Sequence, residues 1–132
     1  KLSSKKGKNF GVKKAKIWNP NFGPFANSQM GRGLLLVNSE MVEGGNFTFV
    51  TSHLESMKDY APERMTQFDL ILDHVKPLKD SKIIFGGDFN MRDSELKMLK
   101  NLNYLNQNFD DVWVKAGSNG NAKFTWDLCK TL

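Results

Sequence analysis

The sequence has a single cysteine, two histidines and no acidic residue before Glu40. One thiol, Cys129, excludes an internal disulfide and falls in no metal-ligand spacing, so a packed side chain is the expectation for it. No apolar run approaches the roughly 20 residues of a membrane helix, and the lysine-rich start lacks the apolar stretch of a signal peptide. These absences point to a soluble intracellular protein. No internal repeat is present.

The missing early acids make the charge lopsided. Seven lysines and Arg32 precede Glu40, whereas the remainder holds fourteen acidic and eleven basic residues. Residues 1–16 therefore read as a basic, flexible arm that is either a solvated tail or a contact for polyanions through counterion release. The net charge of +5 describes this start; the body is mildly acidic. At 132 residues, 39% hydrophobic and 25% charged, the chain is one domain or a piece of a larger one, with enough apolar groups for a core. Residues 17–132 are read as that domain, itself incomplete.

Ile17, Trp18, Phe22 and Phe25 are separated by Asn, Pro and Gly, the pattern of a loop with a few anchors. Residues 34–37 form a central strand candidate, apolar on both faces. Residues 47–52 have strand propensity throughout, and the turn at Gly44-Gly45-Asn46 makes the two runs a hairpin. From Pro62 to Val75, Met65, Phe68, Ile71, Leu72 and Val75 recur at helical spacing, which predicts an amphipathic helix over a sheet face, ended by Pro77. Residues 82–85 are the next strand, so strand, helix and strand succeed one another as in a parallel pair. A shorter helix is expected over 95–102, a strand or turn at 112–114, and a loop at 117–120.

Residues 83–93 carry the clearest chemistry. Three apolar residues run into Gly86-Gly87, and then Asp88, Asn90 and Arg92 occupy alternate positions, which an extended backbone would turn to one side with Phe89 and Met91 on the other. A carboxylate, an amide and a guanidinium on one face suit a phosphate. Alone, the stretch is equally well a loop in which Asp88 caps a turn and Asn90 caps a helix. A second polar cluster, His53-Leu54-Glu55-Ser56, ends the preceding strand, and ends of parallel strands converge on one edge where ligands bind. His74 sits on the helix and is read as structural.

Met30-Gly31-Arg32-Gly33, Thr51-Ser52-His53-Leu54-Glu55-Ser56, Glu63-Arg64 with Gln67, Gly86-Gly87-Asp88-Phe89-Asn90-Met91-Arg92-Asp93, Asp111-Val112-Trp113 and Thr125-Trp126-Asp127 together resemble the endonuclease/exonuclease/phosphatase, or DNase I-like, superfamily. More narrowly they are similar to its tyrosyl-DNA phosphodiesterase branch. The resemblance implies part of a four-layer α/β sandwich, with two face-to-face mixed β-sheets and helices outside. It also implies a Mg²⁺-dependent phosphodiesterase (Mn²⁺ as a substitute) that removes topoisomerase 2 tyrosyl adducts from DNA 5′ ends in the nucleus, with the cytoplasm a second location.

Carried over by motif, Asp88, Asn90 and His53 would be catalytic. His53, Leu54, Glu55, Ser56, Met57, Lys58, Asn90, Met91, Arg92 and Trp126 would contact DNA, with Trp126 offering a face on which a base stacks. The family's main metal-binding Glu and its late Asp-His pair have no counterpart here, so no residue of this chain is assigned to the metal. The segment is expected to be an internal fragment, inactive alone. Two other readings compete: an apurinic endonuclease or deadenylase of the same superfamily, and a non-catalytic DNA-binding module.

Overall fold

The computed structural model describes residues 12–18 by their backbone course, and residues 25–42 and 45–122 in full. Two units divide the chain, Lys1–Asn101 and Leu102–Leu132. The first unit holds a four-stranded sheet in the order β1-β2-β3-β4. Strands β2 (Leu34–Met41) and β3 (Asn46–His53) form the expected hairpin, antiparallel from Leu34 opposite Ser52 to Glu40 opposite Asn46. Helix α1 (Ala61–Val75) follows, with Pro62 in its first turn, where the missing N–H leaves no bond unmade. It leads to β4 (Ser81–Asp88), which pairs parallel with β3 as a crossover connection requires.

Strand β1 (Val12–Trp18) was not expected. It runs antiparallel to β2 at the sheet edge, with a register irregularity between Val12 and Lys14. Residues 12–16 are thus strand and not flexible arm, and Ile17 and Trp18 are strand and not loop. Lysines on an edge strand hide its alternation while discouraging a further strand from adding to it. The rest of the arm lies outside the described residues.

The period of two along β2 and β3 separates the sheet faces. Leu34, Leu36, Thr48 and Val50 are buried, while Leu35, Phe49 and Thr51 point away. Phe68, Ile71, Leu72 and Val75 are the buried apolar stripe of α1. The Phe68 ring packs 5.4 Å from Phe85 and 5.6 Å from Phe89, which seats α1 on the Leu36–Val50 side. Full burial of a side chain of this size contributes about 1.5–3 kcal/mol. On the opposite face Leu35, Phe49 and Ile84 remain 46%, 42% and 50% exposed, so no described residue covers it.

Between β3 and β4 one glycine is required by space. A Cβ on Gly87 would stand 2.2 Å from the Ser52 carbonyl oxygen, with φ at +157°. Gly87→Ala is expected to force the strands apart and to cost at least the 1–3 kcal/mol typical of overpacking, read as a lowered urea midpoint. Gly86→Ala, where nothing lies within 4 Å, should cost far less.

The helix expected over 95–102 is two pieces. Helix α2 (Asp93–Leu96) ends in a turn, and a new helix, α3 (Leu102–Asn108), opens the second unit. There Tyr104 and Phe109 meet edge to face at 6.0 Å. Residues 112–114 are neither strand nor plain turn but part of α4 (Val112–Lys115), because Asp111 caps it by accepting the Val114 N–H at 3.1 Å. Trp113 anchors the following loop through its Nε1–H on the Asn119 carbonyl. Phe22, Thr125, Trp126, Asp127 and Cys129 lie outside the described residues.

Candidate active site

The parallel register makes His53 and Asp88 direct partners at the carboxyl ends of β3 and β4. His53 Nε2 stands 3.7 Å from Asp88 Oδ2, with the two side chains 50% and 66% exposed. By alternation both belong to the face that carries Phe49 and Ile84, so the pair opens onto the uncovered side of the sheet. The Leu54 N–H donates to the Asp88 carbonyl at 3.0 Å and continues the ladder one residue beyond the strand.

Beyond Asp88 the expected alternation breaks. Asn90 takes the left-handed conformation, φ 51°, which asparagine tolerates better than most residues. Its backbone N–H donates to Asp88 Oδ1 at 3.1 Å and its side-chain Nδ2 to the Leu54 carbonyl at 3.1 Å. Asn90 therefore ties the two strand ends together, keeping one Nδ2 hydrogen and its Oδ1 for other partners. Arg92 does not share a face with Asp88 and Asn90. Its Nη1 donates to Glu95 Oε1 at 3.0 Å, and its backbone N–H to Glu95 Oε2, at the start of α2.

Behind the pair lies a buried polar frame. Arg64, 1% exposed, donates through Nη1 to the carbonyls of Glu55 and Met57, both at 2.9 Å, and through Nη2 and Nε to Glu95 at 2.6 and 3.1 Å. Gln67 Oε1 accepts the Glu55 N–H. The Arg and Gln of α1 that entered only as part of a motif thus hold the loop after His53 in shape. The Arg64 guanidinium beside Glu95 brings that carboxyl from its ordinary 4.5 to about 2, against the opposing effect of burial.

Glu55 is fully buried, which by itself would raise its pKa. The Ser28 hydroxyl and the N–H groups of Met30 and Gln29, with the nearby Arg32 charge, reverse that and hold it below the usual value. The side chains of Leu54 and Glu55, both 0% exposed, cannot reach a ligand; they anchor the loop. Ser56 is partly exposed, and Met57, 63% exposed with φ 66°, and Lys58 stand at the loop's surface, while Met91 is half-buried. His74, read as structural, keeps its ring on the Leu70 carbonyl of its own helix.

Arg32 is the site residue that sequence reasoning did not single out. Its Nη1 donates to His53 Nδ1 at 2.7 Å and its Nη2 approaches Met30 Sδ, which the Ser56 hydroxyl also approaches. It lies in a loop before β2, where no periodicity could expose its direction; the motif containing it was the one available signal. Together Arg32, His53, Asp88 and Asn90 place a guanidinium, an imidazole, an exposed carboxylate and an amide at one sheet edge. That set can fix phosphate oxygens and accept a proton from an attacking water.

The chain is similar to known proteins in sequence and in shape. Tyrosyl-DNA phosphodiesterase 2 of Bos taurus is 40% identical over 105 residues, 79% of this chain and 28% of that protein. A 5′-tyrosyl-DNA phosphodiesterase of Caenorhabditis briggsae is 36% identical over 111 residues, covering 80% and 29%. The crystal structure of D. rerio TDP2 complexed with single strand DNA product superposes with a TM-score of 0.65 at 33% identity, covering 80% of this chain and 41% of that one.

The chain is similar to one part of tyrosyl-DNA phosphodiesterase 2. No protein-family model matches it. It spans 28% of the Bos taurus tyrosyl-DNA phosphodiesterase 2, and its sheet and helices are part of a DNase I-like α/β sandwich. The uncovered face of Leu35, Phe49 and Ile84 agrees with a sandwich that is present here in part.

Proposed function

We propose that the protein carrying this segment is a 5′-tyrosyl-DNA phosphodiesterase, which cleaves the bond between a tyrosine and a DNA 5′ phosphate. The observation that supports it most is the register pairing of His53 with Asp88 at an open sheet edge, in a chain 34–40% identical to proteins of that name. In such a hydrolysis charge grows on the non-bridging and leaving oxygens, so positioning and charge stabilisation dominate. Asp88 takes the proton of the attacking water. His53, the spare Asn90 hydrogen and Ser56 donate to phosphate oxygens, and Trp126 offers a stacking face for a base. A phenolic leaving group, of pKa about 10, leaves far more readily than a sugar alkoxide and asks little of a general acid. The biological substrates in this reading are topoisomerase 2 adducts, which places the protein in the nucleus.

The reading includes Mg²⁺ as cofactor. Among the described residues no group of three His, Cys, Asp or Glu side chains could hold a metal ion, and at this edge Asp88 presents an exposed carboxylate. A hard cation commonly takes one or two carboxylates, so the described residues do not make a complete site, and no step above is routed through it.

The test compares substrates with the full-length protein: an oligonucleotide bearing a 5′-phosphotyrosine, an abasic-site duplex and a polyadenylate. The expected result is turnover of the first alone. Preferred cleavage of either other substrate would replace this reading with an apurinic endonuclease or a deadenylase. Salt-dependent DNA binding without turnover of any would leave a binding module.

A further inference from the structure

The contact between Arg32 and His53 fixes more than a distance. A guanidinium has donors and no acceptor, so the 2.7 Å bond from Arg32 Nη1 requires a bare lone pair on His53 Nδ1. The ring proton then resides on Nε2, the nitrogen that faces Asp88 Oδ2. We infer that Arg32 is a positioning residue that closes Nδ1 of His53 and so holds the imidazole as its Nε2–H tautomer, a hydrogen-bond donor toward the Asp88 side.

Arg32 is itself held. Its backbone N–H donates to the Ser28 hydroxyl, which donates to Glu55 Oε1, so the fully buried carboxylate shapes the loop from which Arg32 extends. The Arg32 Nε and Glu55 Oε2 atoms are both buried with no hydrogen-bond partner among the described residues. Among the described residues the charged head contacts His53 and Met30 Sδ.

The chain supplies its own control. His74 Nδ1 lies 2.6 Å from the Leu70 carbonyl, an acceptor only, so that ring carries its proton on Nδ1. The two histidines of the sequence are thus held as opposite tautomers. For His53 the consequence is an assignment of roles: with Nδ1 closed and Nε2 protonated the ring gives a hydrogen bond and does not take the water's proton, which leaves Asp88 as the base. The tautomer rests on geometry alone; the assignment of roles rests on the function proposed above.

The test is a long-range ¹H–¹⁵N correlation spectrum of the ¹⁵N-labelled chain at neutral pH. His53 is expected to show a protonated Nε2 and an acceptor Nδ1, and His74 the reverse. In Arg32→Met the His53 Nδ1 signal should move toward that of an unbonded ring nitrogen while the His74 pattern stays unchanged, which also reports that the fold is intact. Arg32→Lys, which keeps a donor, should move it less. A proton on His53 Nδ1 in the native chain, or His53 ring signals unmoved in Arg32→Met, would overturn the inference. If the tautomer holds while the full-length protein fails to cleave tyrosyl-DNA, the functional reading falls and the role of Arg32 stands.

Discussion

Replacing Arg64 by methionine is expected to destabilise the chain by about 3–5 kcal/mol, the range for removing one partner of a buried ion pair. Glu95, 6% exposed, would keep one guanidinium, that of Arg92, whose own side chain is half exposed. The carbonyls of Glu55 and Met57 would lose their donor as well. Those bonds shape the loop after His53, so the lost stability and the lost site geometry share one cause. Urea unfolding measures the first.

Two controls separate the pair from its surroundings. Arg92→Ala breaks a part-buried contact to the same carboxylate from a half-exposed side chain and should cost far less than Arg64→Met, about 1 kcal/mol. Arg64→Met combined with Glu95→Leu removes both charges and should recover much of the loss, because well-packed apolar replacements of a buried pair are often neutral. A loss of under 1 kcal/mol for Arg64→Met would show that the pair does not hold the loop.

The pH dependence has a definite sign. Glu95 has a folded value of about 2 against an ordinary 4.5, so its contribution is fully present above 4.5 and is lost as pH falls through 2. Arg64→Met should shrink that acid-side loss.

How much of this was readable in advance follows from which physics operates locally. The hairpin, α1 and β4 announce themselves through local patterns: a run apolar on both faces at 34–37, strand propensity throughout 47–52, apolar residues at 83–85 and a period of 3.6 along α1. From that order came the parallel pair, and from the parallel pair the meeting of His53 with Asp88. Strand β1 was hidden because Lys13, Lys14 and Lys16 interrupt its pattern. Helices α2 and α4, four residues each, are too short for any period and depend on their capping contacts. The alternation drawn from Asp88 to Arg92 failed because it assumed extended backbone through Asn90, whose left-handed turn sends Arg92 to Glu95. Glu55 and Arg32 exchanged expectations: a polar residue in a motif proved to be fully buried, and a loop arginine proved to touch His53. Neither outcome is encoded by spacing.

The change with the largest expected effect on activity is Asp88→Asn in the full-length protein. The substitution keeps the side chain's shape and an oxygen able to accept the Asn90 N–H, as Asp88 Oδ1 does, so the strand ends should stay tied. With the side chain 66% exposed, the fold has little stake in its charge and unfolding should be nearly unchanged. What disappears is the group proposed to accept the water's proton, a contribution of typically 10²- to 10⁴-fold. Turnover of a 5′-tyrosyl oligonucleotide should fall within that range.

The pH profile then separates a lost base from a lost contact. Without a carboxylate the attacking species must come from solvent hydroxide, so the residual rate should rise about tenfold per pH unit. A deficit constant across pH would instead assign Asp88 to holding the substrate. Adding His53→Ala to Asp88→Asn should cost less than the two losses taken separately, because a donor placed on the phosphate helps most when the water beside it is activated.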